Sequence, residues 1–311
     1  MATILITGGT GLIGSALTKM LTTKGHKVIV LSRSAKSSND DNVRFAKWDV
    51  KAQTIDEKAL AGADYIIHLA GAGVADKRWS KSRKKEIQES RTESSKLLIK
   101  GLQNTPNKVK AVISASAIGW YGDDKKRGGR KAFIEEMPAD TAFLGETCRL
   151  WEESIEPVEA LGKRLVKLRI GIVLSNDGGA LPEFKKPVKF GLAAAMGSGD
   201  QVVSWIHIED VCRMFVYAIE HEEMIGVYNA VAPNPVKNKS LMLHLAQKIK
   251  GKFYIEVNVP AFVLKLMLGE MSVEVLKSTT VSSEKISKAG FTFLYPSISR
   301  ALDDLLSTNE M

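Results

Sequence analysis

The chain has 311 residues, 44% hydrophobic and 25% charged, which excludes a collagen, a disordered tail or a mini-protein and suggests one large or two modest globular domains. Forty-four Lys and Arg stand against 35 Asp and Glu, a net charge of +9 that favours anionic partners. Two cysteines, Cys148 and Cys212, exclude a disulfide framework and suggest a reducing, cytoplasmic setting, while the lack of a basic leader and of any eighteen-residue apolar run speaks against a signal peptide or a membrane span.

Short β-branched runs alternate with segments of helical period, the pattern of a parallel sheet joined by crossover helices. Strands are predicted over Thr3–Thr7, Lys27–Ser32, Val43–Trp48, Tyr65–Leu69, Val109–Ser114 and Arg164–Leu174, and helices over Leu12–Lys24, Lys84–Leu102 and Leu144–Ala160. The last helix carries Leu144, Cys148, Trp151, Ile155 and Val158 in steps of four and three, a stripe that should face the sheet. Beyond Asn176, repeated Gly and Pro loosen the pattern and suggest an excursion from the sheet. A helix then starts near Ile208, and Val227–Asn229 could revisit the sheet. Helical stretches follow around Leu241–Ile249, Phe262–Leu268 and Ile298–Leu306. The expected organisation is a dinucleotide-binding domain over residues 1–175, completed by 207–232, with 176–206 and 233–311 forming a substrate-binding module.

Gly8-Gly-Thr10-Gly11-Leu12-Ile13-Gly14 follows the first strand and opens the first helix. A dinucleotide loop needs glycine there for a tight turn, for close approach of a diphosphate and for packing of helix on strand, and the amides at the helix start then receive the phosphates. At the tip of the second strand stands Leu31-Ser32-Arg33-Ser34. A carboxylate there would bind a ribose 2′-hydroxyl, whereas an arginine accepts a 2′-phosphate, so NADP(H) is the expected cofactor. Asp49, after the third strand, is a further acceptor for the adenine amino group, or simply ends the strand. After the fourth strand, the small residues following Leu69, Ala70 and Gly71, would let backbone lie near the cofactor.

These glycines, His68-Leu-Ala-Gly71 and Ser114-Ala-Ser-Ala-Ile-Gly-Trp-Tyr-Gly122 together resemble the extended short-chain dehydrogenase/reductases. The string from Ser114, Trp205-Ile-His-Ile-Glu-Asp210, Gly269-Glu-Met-Ser272 and Gly290-Phe-Thr-Phe293 are similar to an atypical "epimerase family" branch with its own C-terminal module. The resemblance implies a Rossmann-type, doubly wound α/β fold with a smaller, mostly helical C-terminal substrate domain. It also implies hydride transfer at a carbonyl or carbinol carbon of an anionic small molecule, of which a nucleotide sugar is one example. In that superfamily a tyrosine exchanges a proton with substrate, and a lysine four residues later lowers the phenol pKa and holds the nicotinamide ribose. Leu144 and Cys148 stand in those two places here. Ser116 matches the superfamily serine that bonds the reacting oxygen, with Ser114 an alternative, and Tyr121 is the expected substitute proton donor. Without the usual pair, the rival expectation is an NADP(H)-binding regulator or scaffold that turns nothing over.

Cys148, on an apolar helical stripe, is expected to be core rather than a nucleophile. Arg169, inside a strand, is expected to be buried and paired, for structure or for substrate binding. The five histidines show no metal-ligand spacing, so no metal is expected. Basic runs at Lys77 to Lys85 and Lys125 to Lys131 have only Trp79 interleaved, which does not suit nucleic acid. They fall after the fourth and fifth strands, on the rim where an anionic substrate would enter, and Gly128-Gly129 suggests a mobile lid. A homo-oligomer is left open.

Overall fold

The computed structural model describes residues 1–34, 37–128 and 131–307, so Gly129, Arg130 and the last four residues of the expected C-terminal module lie outside the described residues. In chain order the elements are β1 (Thr3–Thr7), α1 (Leu12–Thr23), β2 (Lys27–Ser32), β3 (Val43–Asp49), β4 (Thr54–Ile55), α2 (Glu57–Gly62), β5 (Tyr65–His68), α3 (Lys81–Asn104), β6 (Ala111–Ala117), α4 (Phe143–Ile155), β7 (Arg164–Ile170) and β8 (Ile172–Leu174). They continue with α5 (Ala180–Lys189), β9 (Leu192–Met196), β10 (Val202–Val203), β11 (Trp205–His207), α6 (Ile208–Glu220), β12 (Gly226–Ala230), β13 (Val236–Lys237), α7 (Asn238–Lys250), β14 (Ile255–Val259), α8 (Ala261–Leu268), α9 (Ser272–Leu276), α10 (Glu284–Lys288) and α11 (Ile298–Ser307).

Eight strands form one sheet in the order β12-β7-β6-β5-β1-β2-β3-β4, parallel throughout except at β3 with β4. The chain winds outward from β1 to β3, then returns to β5 on the far side of β1 and winds outward again. This reversal makes a Rossmann-type, doubly wound sheet and opens a crevice at the carboxyl ends of β1 and β5. Alternation along each strand divides its residues between two cores. Ile4, Ile6, Val28 and Val30 pack with Leu17 and Leu21 of α1 on one face. Leu5, Ile29, Leu31 and Ile66 pack with Leu60 and Leu98 on the other. With both faces covered, unbroken apolar strands are required, each buried Ile, Leu or Val contributing about 1.5–3 kcal/mol.

Three predicted elements change. The expected strand Arg164–Leu174 breaks at Gly171, where a Cβ would stand 2.7 Å from the Ser204 carbonyl oxygen and 2.8 Å from the Val231 side chain. Beyond that break β8 leaves the main sheet and pairs in parallel with β11. The helix predicted to Ala160 ends at Ile155 and tightens into a 3₁₀ turn over Glu156–Leu161, because Pro157 lacks the amide and crowds the preceding turn. The strand predicted over Val109–Ser114 instead spans Ala111–Ala117, since Ser114 to Ala117 pair with Lys167 to Ile170 of β7.

The expected return to the sheet occurs at β12, which pairs with β7. The C-terminal region is largely helical and has its own core, including Leu181, Val188, Trp205, Leu241, Leu245 and Leu302. It also holds two strand pairs that the sequence pattern did not reveal, β9 with β14 in parallel and β10 with β13 antiparallel. No helix among the described residues is long and apolar enough to cross a membrane.

Candidate functional site

The Gly8 to Gly14 loop lies at the crevice. Gly8 has φ +67°, a backbone region that favours glycine, and a Cβ there would stand 2.9 Å from the Leu69 carbonyl. The loops after β1 and β5 therefore touch. At Gly14 a Cβ would meet the Gly8 oxygen at 2.4 Å, so this glycine lets α1 back onto its own loop. Gly11 differs, because its φ of −81° and ψ of 177° suit any residue. A Cβ at Gly11 would have one neighbour within 4 Å, the Gly8 oxygen at 3.3 Å. Gly11 caps α1 without a side-chain bond, and no acidic residue lies in the first turn, so the leading amides are available to an anion. Thr10 and Gly11 are exposed and Leu12 and Ile13 half-buried. The Leu12 side chain lies 3.3 Å from where a Gly179 Cβ would stand, which brings the start of α5 to the same crevice.

Thr7 binds the two loops together. Its hydroxyl accepts the amides of Leu69 and Ala70 at 3.0 and 3.1 Å, leaving its own proton for Nδ1 of His68 at 2.8 Å. The imidazole hydrogen is thereby assigned to Nε2, which faces Ser95 Oγ at 3.2 Å. Burial lowers the His68 pKa to about 4, against about 6.5 in an unfolded chain. Folded His68 refuses a proton that the unfolded chain accepts, so its contribution is complete above pH 6.5 and is lost as pH falls towards 4. The expected loss is about 3 kcal/mol. Urea unfolding at several pH values should show it in the wild type and not in His68→Gln; equal slopes would contradict the assignment.

Ser32 is half-buried and Arg33 exposed at the tip of β2, beside the crevice mouth. Asp49 ends β3, and its Oδ1 accepts the amides of Lys51 and Ala52 at 2.9 and 3.0 Å. Those bonds, chiefly that from Ala52, hold its carboxyl below the usual range. Ala70 is buried and Gly71 exposed, the latter against Arg91 of α3.

Ser116 and Tyr121 come together in a sealed network. Ser116 Oγ donates to Glu152 Oε1 at 2.6 Å, and Arg169 donates to both Glu152 oxygens, through Nε at 2.8 Å and Nη2 at 3.1 Å. Arg169 Nη1 donates to the Tyr121 hydroxyl at 3.0 Å, and that hydroxyl donates to Asn229 Oδ1 at 2.7 Å. The backbone N–H of Asn229 in turn donates to Glu135 Oε1 at 2.8 Å. The Trp120 ring covers the guanidinium at 3.6 Å. The Tyr121 side chain, the expected proton donor, is fully buried. Burial pushes its pKa up to about 12 despite Arg169, so ionising it at pH 7 would cost about 7 kcal/mol. Ser114, the alternative serine, donates to the Ala115 oxygen at 3.2 Å. Glu135 and Asn229 were missed in the sequence, where nothing local marks them.

The far end of the chain fastens this loop. Ser278 Oγ and Thr280 Oγ1 donate to Asp124 Oδ2 at 2.8 and 2.7 Å, and the Phe133 amide donates to the Thr280 oxygen at 2.7 Å. In the places of the missing tyrosine and lysine, Leu144 and Cys148 pack under Gly119, where a Cβ would stand 3.2 Å from Leu144 Cβ and 3.5 Å from Cys148 Sγ. Burial pushes the Cys148 thiol up to about 12, the behaviour of a core residue rather than a nucleophile.

The first basic run is partly spent inside the protein. Arg83 is buried and bonds Glu86 at 2.7 Å and the Gly73 oxygen at 2.5 Å, Lys84 pairs with Glu270, and Arg78 donates to the Leu266 oxygen at 2.9 Å. The run thus ties the β5 loop and α3 to the C-terminal region. From the second run, Lys126 pairs with Asp140 at 2.9 Å. Among the described residues no group of three or more His, Cys, Asp or Glu is placed to hold a metal ion.

The model of the NAD dependent epimerase/dehydratase family matches residues 4–147, and that of a domain of unknown function, DUF1731, matches residues 259–305. An epimerase family protein of Staphylococcus saprophyticus is 36% identical over 302 residues, 97% of this chain and 98% of that protein. The crystal structure of the human epimerase family protein SDR39U1 with NADPH superposes with a TM-score of 0.86 at 26% identity, covering 98% of this chain and 99% of that one. A nucleoside-diphosphate sugar epimerase from Corynebacterium glutamicum gives a TM-score of 0.77 at 33% identity, covering 99% of this chain and 58% of that one.

Proposed function

Because the chain belongs to the epimerase family, an extended short-chain dehydrogenase/reductase with a DUF1731 module at its carboxyl end, we propose that it binds NADP(H) and acts as an oxidoreductase or epimerase on an anionic carbonyl or hydroxyl compound. The observation that carries this reading is the crevice over Gly11, where the start of α1 has no side-chain cap and a Cβ at Gly11 would meet only the Gly8 oxygen within 4 Å. Arg33, exposed at the tip of β2, supports the phosphorylated form of the cofactor, as does the NADPH in the human relative. Gly8, Thr10, Gly11, Leu12, Ile13 and Gly14 would line the diphosphate and Ser32 and Arg33 the 2′-phosphate. Asp49 would take the adenine, and Leu69, Ala70 and Gly71 the ribose side.

When bound, the nicotinamide supplies or accepts the hydride, and the chain supplies position and electrostatics. Ser116 would orient the substrate oxygen and Tyr121 would give its proton. Reduction is the direction this favours, since a phenol pushed up to about 12 stays protonated at neutral pH. Both hydroxyls must leave their internal partners as substrate enters. The relative from Corynebacterium supports a nucleoside-diphosphate sugar as the substrate class, and residues 176–206 with 233–311 would form the wall that receives it. The buried free thiols of Cys148 and Cys212 suit a cytoplasmic setting.

One observation favours a second reading. With Ser116 spent on Glu152 and Tyr121 on Asn229, the chain would be an NADP(H)-binding regulator or scaffold without turnover. The test is to purify the protein, identify any copurifying nucleotide by mass spectrometry, and follow NADPH fluorescence with nucleotide sugars and simple carbonyl compounds. Oxidation above background supports the enzyme; tight binding with no oxidation supports the regulator; no NADP(H) binding overturns both. Arg33→Ala is expected to weaken NADPH about thirtyfold, as for one lost charge-assisted bond, and NADH less than about threefold. Equal weakening in equilibrium titrations would remove the 2′-phosphate assignment.

A further inference from the structure

Helix α8 carries an apolar face that the described residues leave uncovered. Over Ala261–Leu268 its one buried residue is Leu264, while Phe262, Leu266 and Met267, with Val273 of α9, are between 63% and 77% exposed. Phe262 and Leu266 are one turn apart and so share a face. Four large apolar side chains on one short stretch exceed the scattered exposure of an ordinary surface. The first basic run lies beside this helix. Arg78 Nη2 donates to the Leu266 carbonyl oxygen at 2.9 Å and stands 3.4 Å from where a Gly269 Cβ would be, and Lys84 pairs with Glu270. Across residues 76–86 and 261–277 eight Lys and Arg stand against four Asp and Glu. Those carboxylates are already matched, Asp76 and Glu86 by Arg83, Glu270 by Lys84 and Glu274 by Lys277. Among the described residues no ion pair involves Lys77, Arg78, Lys81 or Lys265, and all four are exposed.

We infer that this face docks on an anionic lipid surface, with α8 in the plane of the headgroups, Phe262 and Leu266 among the acyl chains, and Lys77, Arg78, Lys81 and Lys265 on the lipid phosphates. At eight residues α8 is about 12 Å long, too short to span a bilayer but able to lie within one leaflet. The apolar residues and the cations are weak anchors apart; together they supply the two signals that stable attachment needs. Charge selects this occupant over the others. A second copy docking by the same face would bring these four cations against their own counterparts, which costs affinity. A nucleotide sugar, the substrate class proposed above, is polar and gains little from exposed Phe and Leu. The net charge of +9 draws the whole chain towards an anionic surface. Lipid docking does not depend on NADP(H) binding.

The purified full chain is sedimented with vesicles of phosphatidylcholine alone and of phosphatidylcholine with phosphatidylglycerol at about two to one, at low and at raised salt. The wild type is expected to bind the anionic vesicles at least about tenfold more tightly than the neutral ones, and to be released by salt. Phe262→Ser with Leu266→Ser should lose at least about tenfold on the anionic vesicles. Lys77→Gln with Lys265→Gln should lose about tenfold to thirtyfold, as for two cations at such a surface. These exposed positions should leave the urea midpoint unchanged; if the serine pair does not fold, the glutamine pair carries the test. No sedimentation of the wild type, equal affinity for the two vesicles, or full binding by the variants overturns the assignment. So does a wild type that binds polyglutamate but neither vesicle, or a wild-type dimer in light scattering that the serine pair dissociates, since an acidic protein segment or a second copy would then be the occupant. Vesicle binding is read without nucleotide, so its failure leaves NADP(H) binding untouched.

Discussion

Gly11→Asp is expected to abolish dinucleotide binding while the protein unfolds at the same denaturant concentration or a slightly higher one. Gly11 is the helix cap of α1, in an extended conformation open to any residue, and a Cβ there would touch only the Gly8 oxygen within 4 Å. Aspartate is among the preferred caps, so it would satisfy the first amides of α1 itself. In doing so it occupies the anion site and sets a carboxylate against a diphosphate. Two like charges about 4 Å apart at an effective dielectric of about 20 repel by about 4 kcal/mol, roughly a thousandfold in affinity. Gly14→Ala is the contrasting control, because a Cβ at Gly14 would stand 2.4 Å from the Gly8 oxygen and should damage folding as well. NADPH titration paired with urea unfolding separates the two. Retained binding in Gly11→Asp would remove the crevice from the diphosphate.

Glu152→Leu is expected to destabilise the fold by about 3–5 kcal/mol, the usual cost of leaving one partner of a buried ion pair uncompensated. Its side chain and that of Arg169 are each 3% exposed, and Glu152 also accepts from Ser116. Replacing both, as Glu152→Leu with Arg169→Met, should recover much of the loss, because no charge is then stranded. A single-variant cost below about 1 kcal/mol in urea unfolding would mean that water reaches the pair, and that Ser116 is open to substrate without rearrangement.

The proposed cofactor crevice was legible because its signals are local. One strand, four loop residues and one helix start are contiguous in sequence, and Gly8 and Gly14 answer to contacts within that stretch and with the β5 loop. The proposed catalytic side was less legible. Ser116 and Tyr121 could be named from their string, but their partners Glu135, Glu152, Arg169 and Asn229 come from four separate segments. The pair β9 with β14 escaped because Leu192-Ala-Ala-Ala-Met196 has weak strand propensity and Ile255 to Val259 alternates with Glu256 and Asn258. Pairing across sixty residues creates those strands where local preference does not. The break at Gly171 likewise depends on Ser204 and Val231, which no local reading contains.

The fastening of Asp124 and Phe133 by residues 278–280 bears on how the polypeptide is born. As the nascent chain leaves the ribosome, the segment holding Tyr121 emerges well before its fasteners, by roughly ten to thirty seconds at ordinary elongation rates. The crevice over Gly11 can be assembled during that interval, whereas the neighbouring aromatic pocket must wait for translation to near its end. A premature stop anywhere before Ser278 should therefore yield a fragment with apolar rings uncovered, a natural client for chaperones and proteases.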